Sequence, residues 1–183
     1  KIPYFIIPAG THDLGGMKAV AGRNTVGPTW TAITFPTPFE SVPVVFANQI
    51  LPATSFATTV RVRNITKTGF EAKIQKEAAV ISPIFNEQVT YVALTTGQGT
   101  VNGNKIIVGK TADNFVSSSY KTINYGETIP DPVFITQMQT CNDDTVTAVL
   151  RCTSVTGNSA IIVKQRERST GNYVQAAETA GWL

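Results

Sequence analysis

The sequence predicts an all-β protein, two tandem six-stranded antiparallel β-sandwiches, on three observations. Threonine and valine are abundant while long helix formers are scarce, a composition that favours strands. Apolar and polar residues alternate over short runs bounded by turn residues, the period of a strand with one covered face. The chain also repeats itself. Val20–Gln49 (VAGRNTVGPTWTAITFPTPFESVPVVFANQ) lies over Val108–Gln137 (VGKTADNFVSSSYKTINYGETIPDPVFITQ) without a gap, at an offset of 88 residues. Val45-Phe46 then falls on Val133-Phe134 and Gln49 on Gln137; carried further, Arg63 meets Arg151, Thr68 meets Thr156 and Gly69 meets Gly157. A register held over that span marks a tandem duplication.

At the edges the offset is 87. Phe5–Asn24 lies over Val92–Thr111, matching Gly10, Gly16, Lys18 and Gly22 to Gly97, Gly103, Lys105 and Gly109. On that alignment PYFII corresponds to TYVAL, the closing strand of the first repeat, and reads as the last strand of a preceding module. The terminal AGWL reads as the matching strand of the second repeat, stopped early. The expected division is 1–14, a closing strand of a preceding repeat plus linker; 15–98, the first repeat; and 99–183, the second, its last strand truncated. Lys1 is not an initiator methionine and IPYFII is too short for a signal sequence, so the chain is expected to come from a longer array.

Within the first repeat, TAITF alternates and VPVVFANQ is a continuous apolar run of the kind buried on both sides. TTVRVRNI places Val60 and Val62 on one face, with Arg61 and Arg63 on the other, expected to be solvated. GFEAKIQKE directs Phe70, Ala72 and Ile74 inward and Glu71, Lys73 and Gln75 outward. TKTG between them is a short hairpin turn, and QVTYVAL closes the module. Proline is confined to strand starts and loops (Pro36, Pro38, Pro43, Pro52, Pro83), where a missing N–H is tolerated.

With 183 residues, 42% apolar and only 15% charged, the chain is expected to be folded. Net charge is +3, and the basic residues are spread without a tract suited to nucleic acid. No window approaches the length of apolar chain that spans a membrane. Cys141 and Cys152 fit neither a metal motif nor a disulfide framework; one bridge or two free thiols are both open. His12, the single histidine, stands beside Asp13 in GTHDLGG and reads as a turn residue, since two ligands do not make a metal site. Ser117–Ser119 lack a histidine partner, and Asp143 and Asp144 in CNDD lack calcium-loop spacing and read as a loop tip. GQGTVNGNK precedes no helix that could hold a phosphate. Neither an enzymatic site nor a cofactor is expected.

The phrase ITFPTPFESVPVVFANQ…VRVRNITKTGFEAKIQKE…VTYVAL resembles the H-type lectin domain, the module of snail agglutinins and of the C-terminal half of discoidins. The likeness rests on Phe35 and Phe39 before Pro43-Val44-Val45, on the Thr68-Gly69-Phe70 turn, and on the closing strand Tyr91-Val92-Ala93-Leu94, which begins again at Trp182-Leu183. It spans most of the first repeat. The second departs further, with Thr156-Gly157-Asn158 at the turn. The resemblance implies a six-stranded sandwich that assembles as a homotrimer and binds galactose- or N-acetylgalactosamine-type glycans near subunit seams. Part of that pocket comes from a Gly-Arg-Asp-Asn stretch, which reads Gly22-Arg23-Asn24-Thr25 here. The family's Trp-His pair is replaced by Lys76-Glu77-Ala78.

Two functions follow. One is an extracellular carbohydrate-binding, adhesive module. A pyranose needs a stacking aromatic and planar polar groups, and the candidates are Gly22, Arg23, Asn24, Trp30 and Arg61, with Tyr120 and Tyr125 in the second repeat. The other is a structural spacer or shaft in a trimeric surface or fibre protein, in which Trp30 is a core or interface residue and Arg61 a strand-face residue.

Overall fold

The computed structural model describes residues 4–50, 56–168 and 176–183. All regular structure among them is β. The first unit contains β1 (Gly10–Asp13), β2 (Lys18–Val26), β3 (Thr31–Thr34), β4 (Val44–Gln49), β5 (Thr58–Arg63), β6 (Gly69–Lys76) and β7 (Glu87–Leu94). The second contains β8 (Gly97–Val101), β9 (Asn104–Lys110), β10 (Lys121–Asn124), β11 (Thr136–Met138), β12 (Ala148–Val155), β13 (Ser159–Arg166) and β14 (Ala180–Trp182). The sheets of the first unit, β1-β2-β7-β4 and β3-β6-β5, recur as β8-β9-β14-β11 and β10-β13-β12, every pairing antiparallel. No helix among the described residues is long and apolar enough to cross a membrane.

Among the described residues each unit therefore has seven strands where six were expected. The added one is β1, formed by the GTHD segment assigned to a linker; its counterpart β8 straddles the expected 98/99 boundary. Both open a hairpin on two residues with positive φ, Gly15-Gly16 (66° and 92°) and Asn102-Gly103 (50° and 78°). That geometry matches the twist of the flanking strands and is open to glycine and asparagine at little strain. Residues 4–9, expected as a closing strand, carry no strand. Phe5 and Ile7 pack onto a neighbouring apolar cluster, while Tyr4 and Ile6 are exposed.

The 87-residue offset holds through the first hairpin, but the 88-residue offset does not survive beyond it. Phe35 N–H bonds to Thr68 O as Tyr125 N–H bonds to Asn158 O, and Thr66 N–H bonds to Gly69 O as Thr156 N–H bonds to Ser159 O. Thr68 thus corresponds to Asn158, Gly69 to Ser159 and Arg61 to Arg151, two residues later than the ungapped comparison places them. Three extra residues between β9 and β10 account for the shift.

Each sandwich closes on aromatic residues. In the first, Phe35 meets Phe39, Phe70 and Tyr91 at centroid distances of 5.2, 5.7 and 6.1 Å. In the second, Tyr125 meets Phe134 and Trp182 at 6.0 and 5.8 Å. Phe70 has become Ala160, and the lost volume is restored by Phe134 and Trp182 in the places of Val45 and Tyr91. A third apolar cluster joins the units: Ala19, Val44 and Leu94 of the first with Val108 of the second, flanked by Ile106 and Leu183.

Candidate functional site

Arg61, Lys73 and Gln75, outward on β5 and β6, do not face solvent, while Arg63 and Glu71 stay partly exposed as a pair. Val60 and Val62 point into the sandwich as expected, but Arg61 between them is 1% exposed, and Lys73 and Gln75 are buried as well. The reason is the second unit, which packs over this face. Arg61 Nη2 lies 3.2 Å from Glu178 Oε1, and Glu178 has no exposed surface. Lys164 Nζ reaches the same oxygen at 3.0 Å, while Thr140 Oγ1 and the Asn142 N–H donate to Oε2 at 2.6 and 3.1 Å. One buried carboxylate thus serves two cations from different units. Arg61 Nη1 donates to Gln75 Oε1 at 3.1 Å; its Nε is buried without a partner among the described residues.

A second charge pair lies alongside. Lys73 Nζ donates to Asp144 Oδ2 at 2.7 Å, and Gln75 Nε2 donates to the Asp144 carbonyl at 2.6 Å. The Lys73 hydrogen bond holds the Asp144 carboxyl below its ordinary range against some desolvation; the Lys73 charge, the Trp30 N–H and Arg63 add to it. Trp30 is half-buried here, with the Arg63 guanidinium 4.0 Å and Lys73 Nζ 4.9 Å from its ring centroid.

The edge of β4 completes the seam. An edge strand presents unpaired N–H and C=O groups, and here glutamine side chains of the second unit take them. Gln139 accepts from Val45 N–H at 2.8 Å and donates to Val45 O at 2.9 Å; Gln137 accepts from Ala47 N–H at 2.7 Å.

Beside the seam is a cleft of about 840 Å³ between the units and residues 4–9, lined by Tyr4, Arg23, Asn48, Thr90, Gln137 and Val149 among others. The five candidate residues divide between these places. Gly22 and Arg23 line the cleft, and Arg61 forms part of its wall with its guanidinium committed to Glu178. Asn24 does not line it: successive residues of β2 point to opposite faces, so Arg23 and Asn24 cannot serve one ligand together. Trp30 belongs to the charged seam. Gly22 has a packing role, since a Cβ there would stand 2.7 Å from Tyr91 Oη; its counterpart Gly109 would place one 2.2 Å from the Trp182 ring. In the second unit Tyr125 is core, and Tyr120 is 69% exposed.

The remaining candidates for chemistry have structural partners. His12 Nε2 bonds to Pro8 O at 2.8 Å. Asp143 accepts from the N–H and hydroxyl of Thr145, which lowers its pKa. Cys141 and Cys152 are both free, and burial raises both thiols. No group of three or more His, Cys, Asp or Glu side chains suited to a metal occurs among the described residues. The residues that sequence reasoning missed are Glu178, Lys164, Gln137 and Gln139. The one available signal is the spacing of the glutamines in ITQMQT, which puts two amides on one strand face.

Comparison with protein families, curated proteins and solved structures finds no match.

Proposed function

We propose that the chain is a rigid connecting segment, the structural spacer or shaft reading, of an extracellular assembly, and that it is not an enzyme. The observation that carries this is the fate of Arg61. A strand-face arginine placed to meet a ligand is instead paired to Glu178 of the second unit at full burial, with Trp30 drawn into the adjoining charge pair. Breaking a buried pair by removing one partner leaves an uncompensated charge, so such a seam strongly favours one relative placement of the two units. Spin labels at Lys67→Cys and Asn158→Cys, with both native cysteines changed to serine, test this. A single narrow distance distribution is expected; a broad one means that the units move independently and ends the reading.

A glycan-binding function is the second reading, favoured by the cleft, where exposed Tyr4 and Arg23 stand with the polar side chains of Asn48 and Thr90. An aromatic face with planar polar groups suits a sugar ring. Retention on a glycan array that is lost in Arg23→Ala and Tyr4→Ala, with melting unchanged, supports it; no retention on any glycan removes it.

A further inference from the structure

The outer face of β3-β6-β5 is covered by the second unit around Arg61, Lys73 and Gln75, and among the described residues no unit packs on the corresponding part of the second. Strand register fixes the correspondence. Across the first unit runs the row Trp30, Lys73, Arg61; across the second runs Tyr120, Val163, Arg151. Arg151 Nη1 donates to Gln165 Oε1 at 2.8 Å just as Arg61 Nη1 donates to Gln75 Oε1. Arg61 and Gln75 are buried, whereas Arg151 and Gln165 are exposed. Around them Tyr120 is 69% and Val149 42% exposed.

We propose that this face of β10-β13-β12 receives the first unit of a second copy of the chain, in the arrangement by which β3-β6-β5 receives the second unit within one chain. The receiving side is continuous in design with an interface the molecule already uses. The entering side is matched as well. Glu87 on β7 stands where Glu178 stands before β14, its Oε2 accepting from Gln49 Nε2 at 2.7 Å, so a carboxylate occupies that position in the first unit as Arg151 occupies the place of Arg61 in the second. Two polar residues of the internal seam have apolar counterparts: Val163 stands in the place of Lys73, and Ile50, 41% exposed, in the place of Gln139. The contact joins two different surfaces, so copies add head to tail and do not close at two.

The inference goes beyond the shaft reading, since a chain that never associated could still hold its own two units rigidly. Sedimentation equilibrium of the 183-residue chain, from low micromolar to submillimolar concentration, tests it alongside Arg151→Glu and Tyr120→Asp. Both substitutions sit at exposed positions, Arg151 on β12 and Tyr120 just before β10, and a melting curve for each checks folding. The wild-type mass is expected to rise with concentration beyond two chains, with each variant weakening association roughly tenfold or more. A wild-type monomer at every concentration overturns the proposal. So does association, including a fixed trimer, that both folded variants retain.

Discussion

At the residue scale the seam turns on Glu178, because it balances two buried cations at once. Glu178→Gln leaves Arg61 and Lys164 facing each other without a counter-charge and is expected to cost about 3–5 kcal/mol in urea unfolding. Arg61→Met is expected to cost clearly less, because Lys164 and Glu178 then remain as a balanced pair and the methionine fills much of the space. The reverse order would show that Arg61, not Glu178, anchors the interface. Gly109→Ala tests a separate contact: a methyl group 2.2 Å from the Trp182 ring forces that ring to move, at about 1–3 kcal/mol. Asp144 gives the seam a pH dependence. Its folded-state pKa is depressed, chiefly by Lys73, so its contribution is complete above the ordinary carboxylate range and is lost as pH falls through the folded value. Stability is expected to be level from neutral pH to about 5 and to fall below about 4, with a flatter acid limb in Asp144→Asn.

At the scale of elements, β4 shows how one strand serves two units. Its inner edge pairs with β7, and its outer edge is satisfied by two glutamines. Gln139→Ala strips the Val45 N–H and C=O of their partners and is expected to cost about 2–3 kcal/mol. Amide hydrogen exchange should accelerate at Val45 before it does so in β6; equal acceleration throughout would mean that the glutamine does not guard this edge. The strands themselves were largely legible. Alternation in TTVRVRNI separates Val60 and Val62 from Arg61 correctly, and the turn at Thr66–Gly69 lies where TKTG places it. What alternation cannot express is whether the polar face is itself covered. A buried arginine and a solvated one have the same period, so the pattern alone places Arg61 in solvent. GTHD carries too little pattern, four residues beside glycines, to read as a strand. The two-residue register error arose because a longer loop leaves no mark when the flanking strands share the same apolar alternation.

At the scale of the whole molecule, duplication is visible in the sequence while the use made of it is not. Two copies of one sandwich have diverged so that the face of the first is completed by the second. That pairing joins residues more than a hundred positions apart, such as Arg61 and Glu178, and no local pattern links them. Of the glycan candidates, Arg61 and Trp30 lie in the seam and Gly22 packs under Tyr91. Two units joined this way should unfold as one, although independent sandwiches of this size could each melt alone. Scanning calorimetry of the wild-type chain at neutral pH, with Glu178→Gln beside it, tests that directly. The expected result is a single transition whose calorimetric and van't Hoff enthalpies agree, splitting into two in the variant. Two separate transitions in the wild-type chain would contradict the account, because the buried charges would then not be holding the units together.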